Sequence, residues 1–311
     1  MKKITRFLKV GILLFVSTFI LSGCGFPGLN SSSQDTVRIA TQNTTEQQIM
    51  AYMISDLIQH DTNLKTTLIN NLGSGSVSFQ ALKNDNADIS AVRYNGTDLT
   101  TIFGQDAIKS PSVTTRKVRK IFQEKYHMTY FPSYGFADTY AFMVTGKLAR
   151  KENLKTVSDL KNLAPKMTVG ADQIWVNRKG DGYTGFTQVY GFQFEKVYPM
   201  QIGLVYSAVQ SGKMNAVLGY STDGRIKSYD LKVLKDNKQF FPPYNASPLA
   251  TDKVLKEHPE LKKVLLKLKG KISLTTMQTL NAKVDNDLIE PQVVAKQFLE
   301  QHNYFDGKDG K

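Results

Sequence analysis

Short β-prone runs alternate with amphipathic helical stretches from Thr36 to Leu234, and this alternation narrows the fold more than any other feature of the chain. Thr36-Val-Arg-Ile-Ala-Thr41 alternates as a strand does. The next stretch places Ile49, Met50, Met53, Ile54, Leu57 and Ile58 on one helical face, with Thr44 and Gln47 spaced as a capping box. Further strands are predicted at 66–70, 88–93, 139–145, 167–170, 216–220 and 231–234. Helical stretches at about 76–83, 113–127, near 158, 184–190 and 201–211 separate them, and from Thr251 to His302 the pattern is helical. Strands separated by helices imply an α/β fold of mainly parallel sheets flanked by helices. A local echo predicts two similar lobes. Phe79-Gln-Ala-Leu-Lys-Asn-Asp-Asn-Ala-Asp-Ile leads to Tyr94, and Tyr206-Ser-Ala-Val-Gln-Ser-Gly-Lys-Met-Asn-Ala-Val leads to Tyr220. Each is a helix, a polar turn, a buried strand and a Tyr at the strand's carboxyl end, where open α/β sheets bind ligands.

The first residues fix the compartment. Lys2, Lys3, Arg6 and Lys9 precede an apolar run from Val10 to Leu21, too short for an ordinary membrane span, and no acid occurs before Asp35. The run ends Leu21-Ser22-Gly23-Cys24, which matches the bacterial lipobox. Cys24 is the single cysteine of the 311 residues, so disulfide frameworks and CxxC sites are excluded. The sequence therefore predicts a signal peptide over 1–23 and a lipidated tether over 24–34, holding the protein at the extracytoplasmic face of the cell membrane. Loss of the four leader cations lowers the formal charge from +13 to +9. Compartment and dispersed basic residues both argue against a nucleic-acid partner. The densest basic stretch, Lys253 to Lys271, reads as solvated faces of core-packed helices.

Enzyme motifs are absent: there is no GxSxG, HExxH, Walker A or GxGxxG. His60, His127, His258 and His302 are scattered, and no cofactor, metal or catalytic group is predicted. The pairs Asp85/Asp88 and Asp285/Asp287 read as solvated charges, and Asp223 with Arg225 as an ion pair holding a turn. A cell-wall hydrolase or transferase would need a nucleophile–base pair or metal cluster. An adhesin binding envelope polymer would rely on the +9 charge and show salt-sensitive binding.

Fourteen tyrosines stand against one tryptophan. Tyr94, Tyr140, Tyr220 and Tyr244 each fall at a strand end or near a possible lobe crossing. From residue type alone, half-buried rings near loops are the simpler account of these four. A cage of such rings would however suit a quaternary ammonium, which donates no hydrogen bond, cannot be neutralised, and is held by ring faces at roughly 0.5–2 kcal/mol per contact.

The segments Thr44-Thr-Glu-Gln47, Tyr94-Asn-Gly-Thr97, Thr139-Tyr-Ala, Tyr220-Ser-Thr-Asp-Gly-Arg-Ile226, Tyr229-Asp-Leu-Lys-Val-Leu234 and Phe240-Phe-Pro-Pro-Tyr244 together resemble the glycine betaine/carnitine/choline-binding lipoproteins of OpuC-type ABC importers. The resemblance runs from about Val37 to Phe298. It implies a two-lobed solute-binding protein of the type II periplasmic kind, each lobe a mixed, mainly parallel sheet flanked by helices, with 35–141 plus 245–311 as lobe 1 and 142–244 as lobe 2. It implies a quaternary ammonium ligand caged by Tyr94, Tyr140, Tyr220 and Tyr244, with Gln42 and Thr97 meeting its other end, and ABC permease subunits as partners. Another small cationic or zwitterionic solute, such as an amino acid, is the alternative ligand. Choline-restricted relatives are similar but carry an acid at position 97. Thr97 therefore implies a site that tolerates a carboxylate. Arg93, beside the cage, either disfavours a plain cation or points to solvent.

Overall fold

The computed structural model describes residues 35–178 and 180–306. Strands of these residues form two five-stranded sheets. The first contains β1 (Thr36–Gln42), β2 (Lys65–Leu72), β3 (Ile89–Tyr94) and β4 (Met128–Tyr130). The second contains β5 (Tyr140–Thr145), β6 (Thr168–Asp172), β7 (Lys196–Met200), β8 (Ala216–Tyr220) and β9 (Leu231–Val233). The chain then returns, and β10 (Ala246–Thr251) enters the first sheet. The strand orders are β2-β1-β3-β10-β4 and β7-β6-β8-β5-β9. β1 and β3 are parallel, as are β6, β7 and β8, whereas β10 and β5 run antiparallel to both their neighbours. The echo noted above is thus a real correspondence: β3 and β8 hold the same middle position, each beside the antiparallel strand of its sheet.

Both faces of each sheet are covered, as two-sided burial of the strands requires. On the first sheet, Ile39, Ala91 and Val92 pack under α1 (Thr45–Asp61) and the carboxyl-terminal helices, including α6 (Leu274–Asp285) and α7 (Pro291–Gln301). Ala40 and Leu249 pack on the other side with α2 (Gly75–Lys83) and α3 (Pro111–Tyr126). In β5, Phe142 and Val144 join one core while Ala141 and Met143 join the opposite one, the period-two alternation of a strand. The Phe142 side is aromatic. Trp175, Phe186, Phe194 and Phe241 interlock there with α4 (Tyr183–Tyr190), at ring-centroid distances of 4.8–6.3 Å from Phe142. The opposite face carries α5 (Ile202–Gln210).

Two segments cross between the sheets side by side. Ala137 bridges Asn245, Ala246 N donates to Phe136 O at 3.1 Å, and Asp138 N to Tyr244 O at 3.2 Å. A third seam is formed by α6 against the residues after β8. Gln278 donates to Ser221 O at 2.7 Å and Asn281 to Thr222 O at 2.8 Å. A Cβ at Gly224 would overlap the Ala282 backbone, so this seam requires glycine.

The structure corrects several local expectations. Thr44 is the N-cap of α1 but makes no side-chain cap bond. Gln47 turns instead to Gln42, whose Nε2 donates to Gln47 Oε1 at 3.0 Å. Asp88 is not solvated: it is buried and accepts from Arg38 Nη2 at 2.7 Å. Asp285 stays exposed, as expected, and accepts from Thr45 Oγ1 at 2.5 Å. Arg93 does not point to solvent, since it is 2% exposed and paired with the buried Asp98. Asp223 and Arg225 do form the turn-holding pair, at 2.6 Å. The strands β4, β7 and β10 and the short helices Gly146–Lys151, Gln173–Val176 and Arg225–Ser228 lie outside the predicted elements. The leader, the tether and Cys24 lie outside the described residues. Among the described residues, no helix is long and apolar enough to cross a membrane.

Asp56 carries a stability prediction. It is half-buried on α1, and burial pushes its carboxyl up to about 6, with Glu300 adding and Lys296 opposing. A carboxyl raised on folding costs stability as pH climbs from the ordinary carboxylate range through about 6. Asp56→Asn is expected to stabilise the protein by on the order of 1 kcal/mol at neutral pH, after discounting for solvent screening, and by almost nothing near pH 4. Urea unfolding at the two pH values checks this.

Candidate ligand-binding site

The register of the sheets sets the four tyrosines in two pairs. Tyr140 opens β5 and lies opposite Tyr220 at the end of β8, with ring centroids 5.2 Å apart. Tyr94 ends β3 opposite Ala246, and Tyr244 lies two residues before that partner. The Tyr94 and Tyr244 segments are locked together. Asn95 Oδ1 accepts from Asn245 N and from Gly96 N, each at 2.8 Å, and a Cβ at Gly96 would overlap Pro243 O. Only glycine permits this approach.

Tyr94, Tyr140, Tyr220, Tyr244, Gln42 and Thr97 all line one cavity of about 1070 Å³, so the structure brings together all six positions singled out in the sequence. Residues of both sheets form its walls. Tyr140 and Tyr244 are buried, while Tyr94 and Tyr220 are partly exposed. The hydroxyls are anchored on acids: Tyr140 donates to Asp172 Oδ2 at 2.6 Å, Tyr244 to Asp181 Oδ2 at 3.3 Å, and Tyr94 to Glu46 Oε1. Burial pushes all four phenols up, that of Tyr220 to about 12. They are neutral rings throughout the physiological range.

Arg178 joins the two tyrosine pairs and was not singled out in the sequence. Its guanidinium donates to Tyr140 Oη at 3.1 Å, Tyr244 Oη at 3.3 Å and Asp181 Oδ2 at 3.1 Å, and lies 5.0 Å from the Tyr140 ring centroid. The run Val176-Asn-Arg-Lys-Gly-Asp-Gly182 carries no periodicity, so no sequence signal marked it. The single Trp also serves the site: Trp175 Nε1 donates to Asp181 O at 2.6 Å from beneath Tyr140.

Among the described lining residues, seven carboxylic acids face four cations. Arg93, Arg178 and Arg225 are each committed to an aspartate. The cavity is therefore locally acidic in a basic protein, and its polar groups favour a small ligand with a positive end over an anionic polymer. Among the described residues, no group of three or more His, Cys, Asp or Glu could hold a metal ion.

Residues 35–301 match the model for the substrate binding domain of the ABC-type glycine betaine transport system. The chain belongs to this family. The chain is 52% identical to the carnitine transport binding protein OpuCC of Listeria monocytogenes over 298 residues, 96% of this chain and 97% of the relative. A solved glycine betaine/carnitine/choline ABC transporter structure is 53% identical, with a TM-score of 0.83 over 87% of this chain and all of that one. Apo YehZ from Escherichia coli shares the fold, with 21% identity and a TM-score of 0.74 over 86% of this chain and 99% of that one. This glycine betaine-family chain is thus an extracytoplasmic substrate-binding protein of an ABC importer, working with permease subunits, on the two-lobed fold that the resemblance implied.

Proposed function

We propose that the protein captures quaternary ammonium zwitterions, glycine betaine and carnitine foremost and choline with them, in a cage of Tyr94, Tyr140, Tyr220 and Tyr244. Gln42 and Thr97 meet the ligand's other end. Lobe 1 (35–141 plus 245–311) and lobe 2 (142–244) close on it, and the loaded form delivers it to the permease for osmoprotection. The protein is held at the membrane by lipid on Cys24 and carries out no catalysis. The observation that carries this reading is the convergence of four neutral phenol rings, drawn from both sheets, on one acidic cavity. A quaternary ammonium has no N–H to donate to an acceptor and is held by such ring faces. The relatives named for carnitine and for glycine betaine/carnitine/choline support the ligand class.

Arg178 supports a preference for zwitterions over a plain cation. Its guanidinium, although paired with Asp181, presents N–H donors at the cage that a carboxylate can accept from and a plain cation cannot use. Arg178→Ala is expected to weaken glycine betaine and carnitine by about 2 kcal/mol and choline by much less. Calorimetry on the mature chain after Cys24 tests both statements, using glycine betaine, carnitine, choline and an amino acid without a methylated ammonium. Binding of the amino acid alone would falsify the cage reading. An equal loss for choline in Arg178→Ala would remove Arg178 as the carboxylate partner.

A further inference from the structure

Two buried oxygens at the wall of the cavity have no hydrogen-bond donor: Glu46 Oε2 and Asn281 Oδ1. Both residues are 4% exposed, and both line the cavity. The Asn281 amide cannot be turned over, because its Nδ2 donates to Thr222 O at 2.8 Å and an oxygen in that place would face a carbonyl. Asn281 and Thr222 are neighbours of the Glu46 carboxyl, whose Oε1 receives the Tyr94 hydroxyl. An ionised carboxylate only accepts, which would leave two buried acceptors unsatisfied side by side. One proton on Oε2 makes a donor of it and satisfies both atoms.

We propose that Glu46 is a neutral acid whose Oε2–H donates to Asn281 Oδ1, and that this proton-borne link positions Tyr94 in the ligand cage. The inference rests on the cage reading above. The link ties the first turn of α1 to α6, and through the Asn281 amide to Thr222 beyond the end of β8. It therefore fixes the Tyr94 ring relative to the sheet that carries Tyr140 and Tyr220.

The charges around Glu46 favour the neutral form. Asp138 faces it from the crossing segment and Asp223 from the loop after β8, while Asp285 of α6 bonds the neighbouring Thr45. Arg225 is spent on Asp223, through bonds of 2.6 and 2.8 Å, and the Tyr94 phenol, pushed well up, is neutral. Lys296 and Glu300 of α7 meet α1 at Asp56, well away from Glu46. Burial, with the Asp223 charge, pushes the Glu46 carboxyl up against the polar side chains of Thr222, Tyr94 and Asn281, and burial with Glu46 pushes Asp138 well up. Of this pair, Asp138 keeps the charge, because it accepts the Thr222 hydroxyl at 2.9 Å and the Thr222 backbone N–H as well. The helix terminus at α1 favours an anion, but its field is weaker than the penalty for a second buried charge beside Asp138.

Infrared spectroscopy of the full chain at neutral pH tests the proton directly. A protonated-carboxyl carbonyl band is expected in the wild type, lost in Glu46→Gln and retained in Asp138→Asn. Absence of the band, or its loss in Asp138→Asn with survival in Glu46→Gln, overturns the proposal whatever the protein binds. Titration with glycine betaine tests the positioning role. Glu46→Ala is expected to weaken binding about tenfold, and Glu46→Gln, which can accept from Tyr94 and donate to Asn281, to rescue it. A raised carboxyl keeps its proton above the ordinary range and loses it as pH rises, so wild-type affinity falls toward alkaline pH while that of Glu46→Gln does not follow. A Glu46→Gln variant as weak as Glu46→Ala would mean that Glu46 acts as an anion. Failure of the wild type to bind any methylated ammonium, with the band present, sinks the cage reading alone.

Discussion

Tyr140→Ala is expected to weaken a quaternary ammonium ligand by about 3 kcal/mol, roughly two orders of magnitude in Kd. Tyr140 is the ring on which most of the site converges. It pairs with Tyr220, rests on Trp175 and Phe241, and its hydroxyl joins Asp172 to Arg178. Alanine removes a desolvated ring face and loosens both partners. Tyr140→Phe keeps the face and removes the hydroxyl bonds, so its expected cost is nearer 1 kcal/mol. Tyr220→Ala, at the more open member of the pair, should cost on the order of 2 kcal/mol. Calorimetry on the three variants orders them. A wild-type Kd for Tyr140→Ala would remove that ring from the cage.

Arg93→Leu is expected to lower folding stability by about 3–5 kcal/mol. The guanidinium is enclosed, its Nη1 donating to Gly75 O at 2.5 Å and its other nitrogens to Asp98. Asp98 is equally buried, and burial pushes its carboxyl up even with Arg93 beside it. Removing the cation leaves that acid without its partner inside the first lobe's core edge. The double variant Arg93→Leu with Asp98→Leu should recover most of the loss, because an apolar pair carries no desolvation penalty. Urea denaturation of the single and double variants is the measurement. A single-variant loss under about 1 kcal/mol would show that water reaches Asp98.

The elements legible in the sequence were those whose own residues carry the pattern. β5 and β8 are largely apolar runs, β3 is apolar at Ile89, Ala91 and Val92, all three meet the cage tyrosines at an end, and α1 shows its stripe plainly. β10 was not legible, because Ala-Ser-Pro-Leu-Ala-Thr lacks β-branched residues before Thr251 and contains Pro248. It is a strand because β3 and β4 both pair with it, and Pro248 sits where the register with β3 shifts. β7 was hidden by Pro199, which is tolerated because β7 is an edge strand. In the site, the tyrosines could be found because they sit at strand ends. Arg178 could not, because its loop has no period and its partners lie 38 and 66 residues away. Glu46 stood in a quoted motif, but its role depends on Asn281, which only the tertiary fold brings near.

The place of β10 bears on the order in which the molecule can assemble. The strand that joins β3 to β4 is the last of the ten to leave the export channel, so β4 has no sheet partner until residue 251 has emerged. The five strands of the second sheet are contiguous in sequence and meet no such delay. The inserted half can therefore close on itself while the half that begins the chain is still waiting for the strand that bridges β3 and β4. Refolding is expected to be slowest at the step that seats 246–251, the longest loop closure in the first sheet.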